Sequence, residues 1–231
     1  MKLRILTISA VLLSASLVSN AQSGAYVRAG VNLANISVND DGGVNESNQL
    51  TSFQVGVIGN FKLGTSLLTL QPGVLYTGKG AKVQSGTSGQ ANYFKQTFNP
   101  RYIEVPVNLV VKLPLSKSSG FFVGGGPYLG VGIGGDVKTE GSFLGQAFNR
   151  ERDIKFSDDD PTTFNQEEGT GFGVVRRFDY GLNGTAGIEG KSYVLGVNYG
   201  LGLAKLQSGS NSGADNDNKH RVLSFTLGFK F

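Results

Sequence analysis

Along most of this chain apolar residues return at every second position, in blocks of about ten residues separated by Gly, Asn, Asp and Ser. The last block is the clearest. Leu223, Phe225, Leu227, Phe229 and Phe231 share one face, and Val222, Ser224, Thr226, Gly228 and Lys230 share the other. Period two is the side-chain repeat of a β-strand, whereas a helix repeats every 3.6 residues. The same alternation sets Tyr193, Leu195, Val197, Tyr199, Leu201 and Leu203 against Gly196, Asn198 and Gly200. It sets Phe178, Tyr180, Leu182 and Ile188 against Asp179, Asn183, Thr185 and Glu189, and Phe121, Val123, Leu129, Val131 and Ile133 mostly against glycines. Ile103 to Leu113, Leu68 to Tyr76, Phe53 to Phe61 and Val27 to Leu33 complete the set. Eight strands are predicted, and an even number puts both ends of a closed antiparallel barrel on one side.

The connections between these strands are unequal. Short turns are expected near Gly64-Thr65, Pro114 to Gly120 and Gly190-Lys191, and long polar segments near 37–50, 84–98, 136–175 and 207–219. Short turns at one end and long loops at the other are the outer-membrane arrangement. The 136–175 segment is long enough to hold strand extensions or a further hairpin, so ten strands remain open.

Alternation alone does not say which face is inside, because a soluble lipocalin-type barrel alternates too, with its apolar face inward. Three features favour the inverted case. Gly124, Gly126, Gly130, Gly132 and Gly134 crowd the polar face, which suits a narrow lumen better than a solvated surface. Phe61, Phe121, Tyr193 and Phe231 fall near the short-turn end, and Phe53, Tyr76, Tyr102 and Phe178 near the long-loop end, as two interfacial girdles would. Phe231 closes the final alternating strand, and is expected to be the signal read by the barrel-assembly machinery. The expected fold class is therefore all-β: an eight-stranded antiparallel up-and-down transmembrane β-barrel, placed in the outer membrane.

The N-terminus fits export. Met1-Lys2-Leu3-Arg4 is basic, Ile5 to Val18 is apolar, and Ser19-Asn20-Ala21 offers a small-residue cleavage site. The expected organisation is a signal peptide over 1–21 and a β-barrel domain over 22–231. The chain has 21 Lys and Arg against 17 Asp and Glu. Removing Lys2 and Arg4 leaves 19 against 17, scattered rather than striped, which argues against nucleic acid as a partner. With no Cys, disulfides, thiolate metal sites and lipoprotein anchoring are excluded.

On the inverted arrangement the lumen receives Arg28, Lys62, Lys112 and Lys230 against Glu104, Asp179 and Glu189. Near-balanced charges of this kind are expected to pair and plug the interior, because an unpaired buried charge is costly. Glu104 has Arg28 or Lys112 as its candidate partner.

Arg101-Tyr102-Ile103-Glu104-Val105-Pro106, leading into an alternating strand, resembles the fourth strand of the PorT-like outer-membrane β-barrels of Bacteroidota. Phe178-Asp179-Tyr180-Gly181-Leu182, running to Gly187-Ile188-Glu189, resembles their sixth strand, and Gly30-Val31-Asn32 also fits. The resemblance spans essentially the whole mature chain. It implies the eight-stranded fold and the outer membrane. The family's namesake is linked to secretion and gliding machinery, a role that these short motifs do not transfer.

Candidate chemistry is sparse. His220 is the only histidine, and Ser224 faces the same side. Four residues along one strand are about 13 Å, too far for a Ser–His hydrogen bond. His220 reads as a loop-boundary residue. Asp158-Asp159-Asp160 and Asp215-Asn216-Asp217-Asn218 carry oxygen ligands without EF-hand spacing, and read as solvated loop tips that could bridge lipopolysaccharide through divalent ions. Gly124-Gly125-Gly126 lacks the Lys-Ser/Thr of a phosphate loop. No cofactor is expected. The sequence points to a non-enzymatic barrel that displays its loops to a partner protein, a lipid or a surface. A narrow channel, an accessory part of a secretion system and a lipid hydrolase are the alternatives.

Overall fold

In a computed structural model the described residues are 24–37, 49–64, 67–87, 89, 92–156, 174–206 and 218–231. The expected signal peptide, the two acidic loop clusters and most of the 37–50 and 207–219 segments lie outside them. Among the described residues every regular element is a strand: β1 (Gly24–Ser37), β2 (Leu50–Leu63), β3 (Leu68–Gly78), β4 (Ala81–Ser85), β5 (Tyr93–Pro114), β6 (Gly120–Phe143), β7 (Gln146–Asp153), β8 (Lys155–Phe156), β9 (Val174–Val175), β10 (Phe178–Glu189), β11 (Tyr193–Gly202) and β12 (Lys219–Lys230).

Eight of these close a ring. Following the antiparallel pairings gives β5–β3–β2–β1–β12–β11–β10–β6, and β6 returns to pair with β5 from Pro114↔Gly120 to Tyr93↔Ser142. The strands expected from alternation are these eight. The tight turns lie at 115–119 and 190–192 and around Gly64, which has a φ of 56°.

Burial is inverted relative to a soluble protein. Val31 is 50% exposed, Phe53 56%, Leu129 68% and Phe229 59%, whereas Asn32 is 0%, Thr69 0%, Lys79 3% and Asp179 3%. In water that distribution would forfeit the hydrophobic driving force and bury polar groups. In a bilayer the apolar belt faces hydrocarbon, and the closed ring leaves no unpaired backbone edge there.

The hairpins at the long-loop end extend the barrel. β5 has 22 residues and β6 has 24, about twice the 9–11 that a tilted strand needs to cross. The surplus pairs with β4 on one side and β7 on the other, so a four-stranded flap, β4–β5–β6–β7, stands above the barrel. Part of the long 136–175 connection is thus the β6–β7 hairpin, whose tip holds Leu144 and Gly145 at positive φ. A register shift at Arg101/Tyr102 inserts one extra β6 residue. Such a bulge reverses which residues face inward, and it turns Val137 toward the barrel axis.

Tyr102 corrects the girdle expectation. It is 1% exposed and points into the lumen on the same face as Glu104. Its neighbours Ile103 and Val105 are the outward residues, so strict alternation requires Tyr102 to face in. Phe53 and Tyr76 do face out, with ring centroids 5.6 Å apart, and Phe178, Tyr193 and Phe231 are exposed.

Candidate functional site: the filled lumen

The inward faces stack into layers. At the short-turn end Lys112 and Lys230 each place Nζ 2.8 Å from Glu189 Oε2. Above them Tyr26, Ile58, Leu75, Val110, Phe122 and Val194 form an apolar plug. These side chains need room that eight strands barely provide, and glycine supplies it. A Cβ on Gly187 would lie 2.7 Å from the Phe122 ring, and one on Gly181 2.7 Å from the Tyr128 ring. Gly181 and Gly187 thus seat lumen aromatics.

The middle layer is a continuous hydrogen-bond network. Arg28 donates to Asn198 Oδ1 (3.2 Å) and to Gln54 Oε1 (3.1 Å). Gln54 donates to Asn32 Oδ1 at 3.0 Å, and Asn32 donates to Thr77 Oγ1 at 3.0 Å. Ser224 donates to Asn32 Oδ1 at 2.9 Å, so its hydroxyl is committed to the network.

The charged centre of that layer is Lys79. Its Nζ lies 2.7 Å from Glu104 Oε2 and 2.7 Å from Asp179 Oδ2, with all three side chains under 10% exposed. Tyr128 donates to Asp179 Oδ2 at 3.2 Å, and Asn183 donates to Glu104 Oε1 at 3.3 Å. The ammonium also sits 4.2 Å from the Tyr128 ring centroid, a cation–π contact. The partner of Glu104 is therefore Lys79, not Arg28 or Lys112. Lys112 lies on the same strand as Glu104, about 26 Å away at strand rise, and the guanidinium of Arg28 is held by side-chain amides.

The alternating pattern predicts a third strand that ends near Tyr76, short of Lys79. Lys79 follows Leu75 and Thr77 on the same inward face, all three buried. Continuing the alternation by one step would have found it. Lys62 is exposed at the short-turn rim and belongs to neither ion-pair group.

His220 differs from expectation, and a second apolar cluster completes the plug. His220 is 2% exposed, not a loop-boundary residue, with Nε2 3.4 Å from Tyr102 OH. Over it Ile36, Phe98, Ile154, Val175 and Leu206 form a second apolar cluster, with Ala81, Val137 and Phe156 against it, closing the long-loop end. Between the apolar layers lies a polar cavity of about 30 Å³, lined by Arg28, Gln54, Lys79, Glu104, Asn108 and Tyr128 among others. That volume suits one or two ordered waters, not an organic ligand. Among the described residues no group of three or more His, Asp or Glu is placed to hold a metal ion.

Above the membrane the flap carries its own charges on one face. Glu140 accepts from Lys95 at 3.1 Å and pairs with Lys138 at 2.8 Å, and Arg101 pairs with Asp136 at 2.5 Å. The bonds from Lys138 and Lys95 hold the Glu140 carboxyl below its ordinary value of 4.5.

Comparison with known proteins places the chain. No curated protein matches it. Among solved structures it is similar to Ail, the attachment invasion locus protein of Yersinia pestis, at 12% identity and a TM-score of 0.40, over 90% of this chain and 99% of that one. Ail in complex with the heparin analogue sucrose octasulfate gives 13% and 0.41 over the same shares. Neisserial surface protein A gives 12% and 0.39 over 90% and 97%. Residues 20–208 match the outer membrane protein beta-barrel domain. With a match over most of its length, a closed ring of strands and an outward apolar belt, the chain belongs to the outer membrane protein beta-barrel domain family, and is a β-barrel of the outer membrane.

Proposed function

We propose that this protein is a non-enzymatic, closed scaffold that holds a β-sheet flap and loops outside the cell for a partner to bind. The observation that carries the reading is the filled lumen beneath a raised flap. An ion-pair floor, an apolar plug, a polar network and an apolar cap succeed one another along the axis, with a cavity of only about 30 Å³ among them. A channel would need a continuous polar path. An enzyme would need a nucleophile near a base, and the hydroxyl of Ser224 is turned to Asn32.

On this reading the lumen residues Arg28, Glu104, Lys112, Asp179, Glu189 and Lys230, together with Lys79, are structural. Residues 1–21 are a cleaved export signal and Phe231 is the assembly signal for the barrel-assembly machinery. The Arg101–Pro106 and Phe178–Glu189 motifs support a finer placement among the PorT-like barrels of Bacteroidota. Partners are expected among outer-membrane lipid, lipopolysaccharide and an extracellular protein surface.

The test is a pair of measurements on the full protein refolded into lipid. Planar-bilayer recordings are expected to give no discrete conductance, and a reproducible single-channel step would overturn the closed lumen. Replacing the β6–β7 tip, residues 143–148, with a short Gly-Asn turn is expected to abolish cell-surface binding while the folded gel mobility persists. Unchanged binding would remove the flap from the function.

A further inference from the structure

The short-turn end of the barrel directs its charge toward the axis. Lys62 on β2, Lys112 on β5 and Lys230 on β12 lie on inward faces, opposite the buried Thr69, Phe122 and Tyr26 in register. Lys117 and Lys191 stand exposed on the β5–β6 and β10–β11 turns. The outward positions at the same level are Phe61, Leu63, Leu113, Phe121, Tyr193 and Phe229, none of them charged.

One carboxylate side chain answers these lysines. Glu189 is shared by Lys112 and Lys230, each 2.8 Å from its Oε2. Among the described residues Lys62, Lys117 and Lys191 have no ion-pair partner. Thr65 and Ser66, which complete the β2–β3 turn, are uncharged, and residues 1–23 contain no acid. Of the 17 acidic residues in the chain, Glu104 and Asp179 are held by Lys79 in the middle of the lumen. All the others except Glu189 belong to the flap or to the connections between strands at the long-loop end. About 25 Å of apolar belt separates the two ends, well beyond the ~8 Å Debye length of physiological salt. The short-turn mouth is therefore a basic surface whose excess charge the rest of the chain does not neutralise.

The direction of that charge decides what it meets. A lipid headgroup lies beside the barrel wall, and at this end the wall presents aliphatic and aromatic side chains. The lysines instead surround the axis or flank its opening, so an anion approaches from the aqueous side. The three unpaired ones, on β2 and on two separate turns, are distributed round the ring rather than converging on one point. Lysine offers a mobile point charge, where arginine presents a fixed fork. Several carboxylates spaced along one flexible chain suit that arrangement, with Ser118 and Ser192 exposed on the same turns as further donors.

We propose that the short-turn mouth docks an acidic peptide segment of a periplasmic partner, held by Lys62, Lys117 and Lys191 over the Glu189 ion-pair floor. The protein then has a second interaction face, opposite the flap. This rests on the outer-membrane placement, which sets the short turns in the periplasm, and not on the closed-scaffold reading.

The test is fluorescence anisotropy of labelled hexaglutamate against the whole folded protein in nanodiscs of zwitterionic lipid, with hexaglutamine as the uncharged control. The wild type should bind hexaglutamate and not hexaglutamine, with an affinity that falls as salt screens the charges. The Lys62→Gln/Lys117→Gln/Lys191→Gln variant should bind on the order of tenfold more weakly, at two- to threefold per exposed pair. A Lys82→Gln/Lys95→Gln/Lys138→Gln variant removes the same charge from the flap and should bind as wild type does. Unchanged affinity in the mouth variant, or an equal loss in the flap variant, would overturn the proposal. Anionic phospholipid is the competing ligand. Greater retention of phosphatidylglycerol by wild type than by the mouth variant in native mass spectrometry would assign the lysines to headgroups and would also overturn it. If the triple variant does not give the folded gel mobility, Lys117→Gln/Lys191→Gln, confined to the turns, should still weaken binding about fivefold, and wild-type affinity there would count equally against it. None of these results bears on conductance or on flap binding.

Discussion

Lys79→Met tests the lumen design most directly. Lys79 is the shared partner of two carboxylates, Glu104 and Asp179, each 2.7 Å from its ammonium. Removing one member of a buried ion pair typically costs about 3–5 kcal/mol, because the survivor is left charged in a poorly solvated site. Here two survivors remain within one layer and also repel each other. Protonation offers no cheap escape. Holding a carboxyl of ordinary value near 4 protonated at pH 7 costs about 4 kcal/mol. Asn183 and Tyr128 still donate to the two acids, which keeps the loss toward the lower bound, so about 4 kcal/mol is expected. The assay is urea unfolding from lipid vesicles, read by the gel mobility of unheated samples, since the chain has no tryptophan. The decisive comparison is the triple variant Lys79→Met/Glu104→Gln/Asp179→Asn, which removes all three charges at nearly constant shape. It should recover to within about 1 kcal/mol of wild type. A single variant that loses less than about 1 kcal/mol, or a triple variant no better than the single, would refute the reasoning that charge burial organises this layer.

Further outcomes follow from other layers. Phe98→Ala should cost about 3 kcal/mol by emptying a buried aromatic site in the upper cap. It should still give no conductance, because the lower plug around Phe122 is intact; Phe98→Ala combined with Phe122→Ala is the variant expected to leak in bilayer recordings. Gly126→Ala would place Cβ 2.0 Å from Val107 O, and should abolish the heat-modifiable band. Gly184→Ala meets nothing within 4 Å, and should raise stability by about 0.5 kcal/mol through the unfolded chain, measured by the same unfolding assay. Carboxyl NMR titration in nanodiscs should find Glu140 titrating below 4.5, and Lys138→Met should raise it. Because the folded value is depressed, any stabilisation from Glu140 is present above its unfolded value and disappears as pH falls through the folded one. Screening at this exposed site keeps the effect small.

The membrane-crossing part of this fold is legible because period-two alternation is imposed by the pleat and cannot slip without turning the apolar set inward. That is why Val27 through Leu33 and Leu223 through Phe231 are readable from sequence alone. The structure departs from that pattern where the alternation is stopped early or not carried through, and His220 lies inside because it shares the inward face of Val222 and Ser224. Lys79 sits one alternation step past Thr77, and Tyr102 one residue before the outward Ile103. The flap was harder. Phe94, Gln96 and Phe98 pair with β6 above the membrane, where one face packs on the cap and the other meets water, so neither polarity nor length separates the segment from a loop. The seating of Phe122 and Tyr128 over glycines of other strands is non-local, and no spacing within one strand predicts it.

The lumen explains why a barrel with a polar interior can be closed. Polar groups alone would admit water along the axis, and the axis would conduct. Apolar groups alone would make inside and outside alike, and a one-residue slip would cost nothing in hydrocarbon. This chain uses both. The contacts of the Arg28–Asn32–Gln54 and Lys79–Glu104–Asp179 groups form only when five strands stand in correct register, which opposes slippage. The Phe122 plug and the Phe98 cap lie below and above that network, and they exclude water from the ion pairs they enclose. Specificity therefore comes from the polar layer and closure from the apolar layers. Neutralising the polar layer should leave the barrel closed but broaden its folded gel band, whereas emptying both apolar layers should open it while register holds.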